Sequence, residues 1–190
     1  MSHVVIFPAV ADGTRFPTSR SQGRARRIQL DEALTGKASV DLRIDFSDVH
    51  AMTISYVDEF LAKFMTSFDG AENDITIMAQ GLNTENAEAV QIALERRHTG
   101  IVVLNEDGTL ALLGDPRLGE TFRAASKVGA FKAHDLARRL GISPQNANNR
   151  LRPLVEVGAL RKSRVTGATR GGKEFAYTAV TEAASDSDVA

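Results

Sequence analysis

The sequence predicts a mixed α/β protein. An N-terminal sheet flanked by helices occupies residues 1–114, and a smaller C-terminal α+β unit occupies residues 118–180. Three observations carry this. Short apolar or alternating runs recur through the first part with amphipathic stretches between them. Three amphipathic segments closed by glycines follow. Charge also divides the chain: residues 1–114 hold 10 Lys/Arg and 16 Asp/Glu, while residues 115–190 hold 13 and 8. Opposite signs in two parts suggest two modules with different partners.

The first part reads in order. Val4-Val5-Ile6-Phe7 is a short apolar run ended by Pro8, as suits a strand. Val40 to Phe46 alternates apolar and polar residues, and Asp74 to Met78 repeats that pattern. Ile101 to Leu104 is continuously apolar. Turn chemistry at Asn105–Gly108 then lets Thr109–Leu113 return as a hairpin strand. Ala25, Ile28 and Leu34 give one helical stripe. Ile54, Val57, Leu61, Phe64 and Phe68 give a second, and Ala87, Val90 and Leu94 a third, with Thr84 as its expected cap. There is room for about five strands and three helices, arranged as a sheet with packed crossovers.

Composition excludes several chemistries. Hydrophobic residues make up 43% and charged residues 25%, the usage of an ordinary soluble domain. With no cysteine there is no disulfide framework, thiol nucleophile or iron–sulfur cluster. No segment approaches about 18 uninterrupted apolar residues, so no membrane span is expected. The amino end lacks the basic, long apolar character of a secretion signal, and a cytoplasmic location is expected. His3, His50, His98 and His134 show no metal-ligand spacing. No phosphate-cradling glycine motif and no nucleophile elbow occurs. The expectation is a non-enzyme with no cofactor and no metal.

The second part holds the strongest signal. Residues 115–117 have linker chemistry. Leu118, Phe122, Ala125 and Val128 form one stripe closed by Gly129, and Ala133, Leu136, Ala137 and Leu140 a second closed by Gly141. Ser143-Pro144 opens a third helix in the favoured cap and first-turn arrangement, with Ala147, Leu151, Leu154 and Val155 as its core face. Only Gly141-Ile142-Ser143 separates the second and third helices, and so tight a turn forces helix-turn-helix geometry. The outer face of the third helix carries Gln145, Asn149 and Arg152, flanked by Asn146 and Asn148, with no acid before Glu156. Amides pair bidentately with adenine and arginine with guanine in a major groove. Pro153 is expected to kink this helix or end its regular part.

Two strands are expected after it, over 159–165 and 174–180. The hairpin between them carries Arg161, Lys162, Arg164, Arg170 and Lys173.

Segment 118–180 resembles a winged helix-turn-helix of the MarR or ArsR type. The residues behind the resemblance are Leu136-Ala137, Leu140–Ser143, Asn148–Leu151 and Leu154–Leu160. It implies double-stranded DNA as partner, with Ser143, Gln145, Asn146, Asn148, Asn149 and Arg152 at the groove and the basic hairpin on the backbone. A winged helix used only for protein contacts is the bland alternative.

Ser19–Gly23, Asp45–Val49 and Ser55–Phe60 resemble the STAS-like domain of unknown function, over roughly residues 5–100. That resemblance implies a small sheet flanked by helices, and relatives of the wider group act as partner-switching modules governed by kinase-like ATPases. Their acceptor pattern falls here on Thr53-Ile54-Ser55-Tyr56, with Ile54 in the usual acceptor place. Thr53 and Ser55 remain as phospho-acceptor candidates, against Thr53 as a plain helix cap. Asp58 and Glu59 read either as an acidic partner edge or as a solvated face. Arg20, Arg24 and Arg27, with Arg26 beside them, read either as a phosphate-holding stripe or as a solvated face.

Together these features predict a bacterial-type transcription regulator. Its N-terminal domain dimerises or senses a protein partner, the whole acts as a homodimer, and residues 181–190 form a disordered tail. The rival is a partner-switching or antitoxin-like module with DNA binding secondary.

Overall fold

The computed structural model describes residues 3–165 and 174–181. It is a mixed α/β structure built on a five-stranded sheet and a three-stranded sheet. The first contains β1 (His3–Pro8), β2 (Val40–Asp45), β3 (Thr76–Gln80), β4 (Gly100–Leu104) and β5 (Leu110–Gly114), adjacent in chain order. β1 to β4 are parallel and β5 returns antiparallel to β4 as a hairpin. Crossovers run through α1 (Arg20–Leu34), a long helix over 54–67, and α4 (Thr84–Glu95). The long helix is α2 (Ile54–Val57) and α3 (Lys63–Ser67) joined by a π-helical turn, Asp58–Ala62. Right-handed connection of sequential parallel strands puts these helices on one face. Val40, Leu42 and Ile44 of β2 are buried there, and Phe60 meets the rings of Phe7, Phe46 and Tyr56.

The stripe on α1 is only in part the one the spacing predicts: Leu34 packs against the core, but the rest differs. Ala25 and Ile28 are exposed, whereas Gly23 and Leu30 are buried. Gly23 decides this: a Cβ there would lie 2.6 Å from the Tyr56 carbonyl, so only glycine lets α1 approach the long helix. β3 also starts two residues late. Asp74 adopts a positive φ of 54°, so the chain is still turning where a strand is expected. On α4 the cap is Asn83, whose side chain accepts from the Asn86 amide, rather than Thr84.

Asp115-Pro116-Arg117, expected as linker, holds the cap and first turn of α5 (Pro116–Ala125). Asp115 is buried and accepts from the Arg117 amide and guanidinium. α5 packs on β5, then α6 (Ala133–Leu140) and α7 (Pro144–Glu156) follow. α7 runs through Pro153 to Glu156, so the proline removes a donor without ending the helix. The second sheet is β6 (Phe131–Lys132), β8 (Phe175–Ala179) and β7 (Leu160–Arg164), all antiparallel. The two-residue β6 has no counterpart in the expected elements; it pairs Phe131 with Tyr177, whose rings stack.

The end of α7 meets the first sheet and the loop leading to β3 through backbone bonds. The Gly70 amide donates to the Glu156 carbonyl at the end of α7, and the Ile77 amide of β3 donates to the Gly158 carbonyl. A Cβ on Gly70 would lie 2.7 Å from the Ile75 carbonyl and 2.8 Å from that of Val155. Gly158 has φ +70° and faces Ile75 and Ile77. One apolar core runs through both sheets, from Phe7 and Ile44 to Leu151, Leu154 and Tyr177.

Gly70→Ala therefore forces a methyl group between backbone atoms on both sides of this seam. A loss of about 1–3 kcal/mol in urea-unfolding stability is expected, the usual cost of overpacking.

Candidate nucleic-acid interface

The turn between α6 and α7 is built by local chemistry. Gly141 caps α6 at φ +64°, a left-handed conformation glycine adopts without penalty. The Ile142 amide returns to the Ala137 carbonyl at 3.0 Å. Ser143 accepts from the Asn146 amide and Pro144 takes the first helical position. α7 buries Ala147, Leu151, Leu154 and Val155, as the apolar spacing predicts.

Its other side is open. Ser143, Gln145, Asn146, Asn148, Asn149 and Arg152 are all exposed. Gln145 Nε2 reaches Asn149 Oδ1 only at 3.5 Å, so both amides keep most of their hydrogen-bonding capacity. Arg152 is 82% exposed, and its Nε lies 2.7 Å from Glu156 Oε1, which raises the pKa of the guanidinium. Glu156 thus pairs with Arg152 without covering it.

The basic hairpin divides. Arg161 is turned inward: its Nε meets Asp74 Oδ1 at 2.7 Å and its Nη2 meets Asp41 Oδ1 at 3.2 Å. This arginine clasps the second sheet to the first and has little left for an external phosphate. Lys162 is exposed, with its ammonium 4.0 Å from the centre of the Phe175 ring, and Arg164 is exposed at the end of β7. The Val165 amide to the Glu174 carbonyl closes the hairpin stem. Arg170 and Lys173 lie outside the described residues, as does the expected tail beyond Thr181.

Between α7 and the first sheet's helices runs a cleft of about 480 Å³. Asn149, Arg150 and Pro153 line one side, with Arg97, His98 and Arg117 among the residues lining the rest. Arg150 is exposed on the same helix as the amides, yet it was not among the expected contacts. Its signal lay in the sequence as one more cation on an otherwise uncharged run. Arg117 is held by Asp115 at 3.0 Å.

The candidates in the first part serve the fold. Thr53 is the cap of α2: its hydroxyl accepts from the Tyr56 amide and donates to the Thr18 carbonyl at 2.7 Å. Ser55 is half-buried on the next position. Glu59 is buried and paired with Arg20 and Lys63, and Asp58 meets Arg97 through both carboxylate oxygens, at 2.6 and 3.0 Å. Neither acid forms an open acidic edge. Arg20 pairs with Glu59 from an exposed position, and the half-buried Arg27 donates to the Glu59 carbonyl. Arg26 donates to the Pro8 carbonyl and stacks over Phe7, while Arg24 stays exposed. Three of the four arginines expected as a solvated stripe thus hold α1 to β1 and to the π-helical turn.

Comparison with known proteins returns no matching family model and no matching curated relative. Among the described residues no helix is long and apolar enough to cross a membrane, and no three His, Asp or Glu side chains gather as a metal site.

Hydrogen bonding to Arg97 holds the Asp58 carboxyl below its ordinary value, and hydrogen bonding to Lys63 does the same for Glu59. A carboxylate lowered in the folded state contributes stability above its unfolded pKa of about 4 and loses it as pH falls through the folded value. Arg97→Gln should therefore cost about 1.5–3 kcal/mol at neutral pH. The difference between variant and parent should shrink below about pH 4, as read from urea midpoints across pH.

Proposed function

We propose that the chain is a sequence-specific DNA-binding transcriptional regulator of bacterial type, working in the cytoplasm. In this reading residues 118–180 are a winged helix-turn-helix, and α7 enters the major groove with Ser143 and Pro144 leading. Gln145, Asn146, Asn148 and Asn149 offer amides to base edges, with Arg150 and Arg152 beside them. Lys162, Arg164, Arg170 and Lys173 hold phosphates. Arg161 is left out of the contact set because Asp41 and Asp74 occupy it. Residues 1–114 form a STAS-like module that dimerises the regulator or senses a partner. A single small unit of this kind buries little surface, so useful specificity calls for a homodimer on a two-fold site.

One observation carries the reading. The exposed side of α7 holds four amides and two guanidiniums, and its only acid is Glu156 in the last turn. An ordinary solvated helix mixes Glu with Lys. The choice of amides wastes no solubility and makes sense where base edges are read. The partner-switching alternative draws less support, since Thr53, Asp58 and Glu59 are engaged inside the chain.

Selection from a random DNA library with the purified full chain tests the proposal, and an enriched two-fold motif is the expected result. Asn149→Ala or Arg152→Ala should then cost about 1–3 kcal/mol of discrimination between that motif and random DNA, measured by competition binding. Both variants keeping the parent's preference would remove α7 from the groove. Arg170→Ala should weaken binding to all sequences alike and reduce the salt slope by about one unit.

A further inference from the structure

Four large hydrophobic side chains stand exposed among the described residues: Val4, Ile6, Phe16 and Ile28. All four belong to the first strand–loop–helix unit of the chain. Two of them, with Ile6 58% exposed, lie on β1. That strand is an edge, paired only with β2. The His3 amide donates to the Ser39 carbonyl and the Ala9 amide to the Asp45 carbonyl. The odd-numbered residues therefore turn their backbone groups toward β2. Successive residues of a strand alternate, so the N–H and C=O groups of Val4 and Ile6 point outward along the open edge.

Natural edges are usually blunted by a charge, a bulge or a proline. β1 reads His-Val-Val-Ile-Phe-Pro and carries no lysine, arginine or acid. Pro8 stands at the far end, where its carbonyl is already taken by Arg26. The stretch from Val4 to Ile6 has no such protection.

We infer that this edge is a homodimer interface, in which two copies of the chain pair antiparallel about a two-fold axis at Val5. The five-stranded sheets then join into one continuous sheet. Val4 lies opposite the partner's Ile6, and directly opposed residues of an antiparallel pair share a face, so both exposed aliphatics are covered by aliphatics. Each opposed pair exchanges its two backbone hydrogen bonds. A two-fold contact meets its own surface, so it needs no charge of the opposite sign. An edge without charges offers nothing to recognise a charged partner and everything a second copy requires. In taking a second copy as the occupant, the assignment rests on the two-fold regulator proposed above. Its geometry rests on β1 alone.

Sedimentation equilibrium of the full chain in the micromolar range should give twice the chain mass of 20.5 kDa. Ile6→Lys should raise the dissociation constant at least about tenfold, by placing an ammonium where an aliphatic pair forms. Far-UV circular dichroism of the variant should stay at the parent's value, and Val4→Lys serves should Ile6→Lys fail to fold. Hydrogen exchange gives a direct readout on the parent itself: the Val4 and Ile6 amides should be protected at high concentration and fast when diluted. A monomer throughout that range overturns the inference. So does a dimer that keeps these amides in fast exchange. A dimer with protected amides that binds no DNA leaves the interface standing and overturns the regulator. Tight DNA binding by a strict monomer does the reverse.

Discussion

Everything the molecule can do with α7 depends on a seam of bare backbone. Gly70 and Gly158 come together where the end of α7 meets the start of β3, and the amides of Gly70 and Ile77 bond carbonyls across it. Hydrogen bonds between main chains allow no rotamer slack, unlike contacts between long side chains. Arg161 adds a second point of attachment through Asp41 and Asp74. Two attachments on different strands fix a direction as well as a position. The amide face of α7 is thereby held at a set angle to the first sheet, as the proposed reading of base edges would require.

The helix α7 is held along its length: Ala147 and Leu151 are buried beside α6 and α5, and the Glu156 carbonyl accepts from the Gly70 amide. The cleft beside it is lined by Asn149 and Arg150, with His98 of the first part and Arg117 at the start of α5. The loop leading to β3 touches the end of α7 directly, through one hydrogen bond from Gly70 and its close approach to Gly158.

Much of this was legible in the sequence, and the reasons are particular. The α6–α7 turn could be read because Gly141, Ser143 and Pro144 each have one dominant backbone preference, and all three agree. The core side of α7 followed from the 3.6-residue period of Ala147, Leu151 and Leu154. The hairpin of β4 and β5 followed from Asn105–Gly108. The failures occur where polar side chains bind within the chain. Arg20, Arg27 and Arg161 look like solvent-facing cations, yet each finds a carboxylate or carbonyl far away in sequence. No local period carries that information. The true contact face of α1 depended on Gly23, a residue with no side chain to announce it. The seam was hidden for the same reason, since Gly70 and Gly158 each resemble an ordinary turn glycine.

These paired arginines also sharpen what remains outside. A basic composition in the second part could have meant a diffuse cationic coat. The ion pairs subtract from it: Arg161 goes to the first sheet, Arg138 to Asp135, Lys132 to Glu174 and Arg117 to Asp115. Exposed cations of the second part outside these pairs include Arg150 on α7, Lys162 and Arg164 on the hairpin, and Arg123, Lys127 and Arg139, while Arg152 is held by Glu156. Non-specific attraction to a polyanion needs only charge, wherever it lies. Discrimination between bases needs amides and guanidiniums held in register by a rigid frame. Committing Arg161 to Asp41 and Asp74 ties the two sheets together at the cost of one outward cation, and under the proposed function that trade would favour selectivity over bulk affinity.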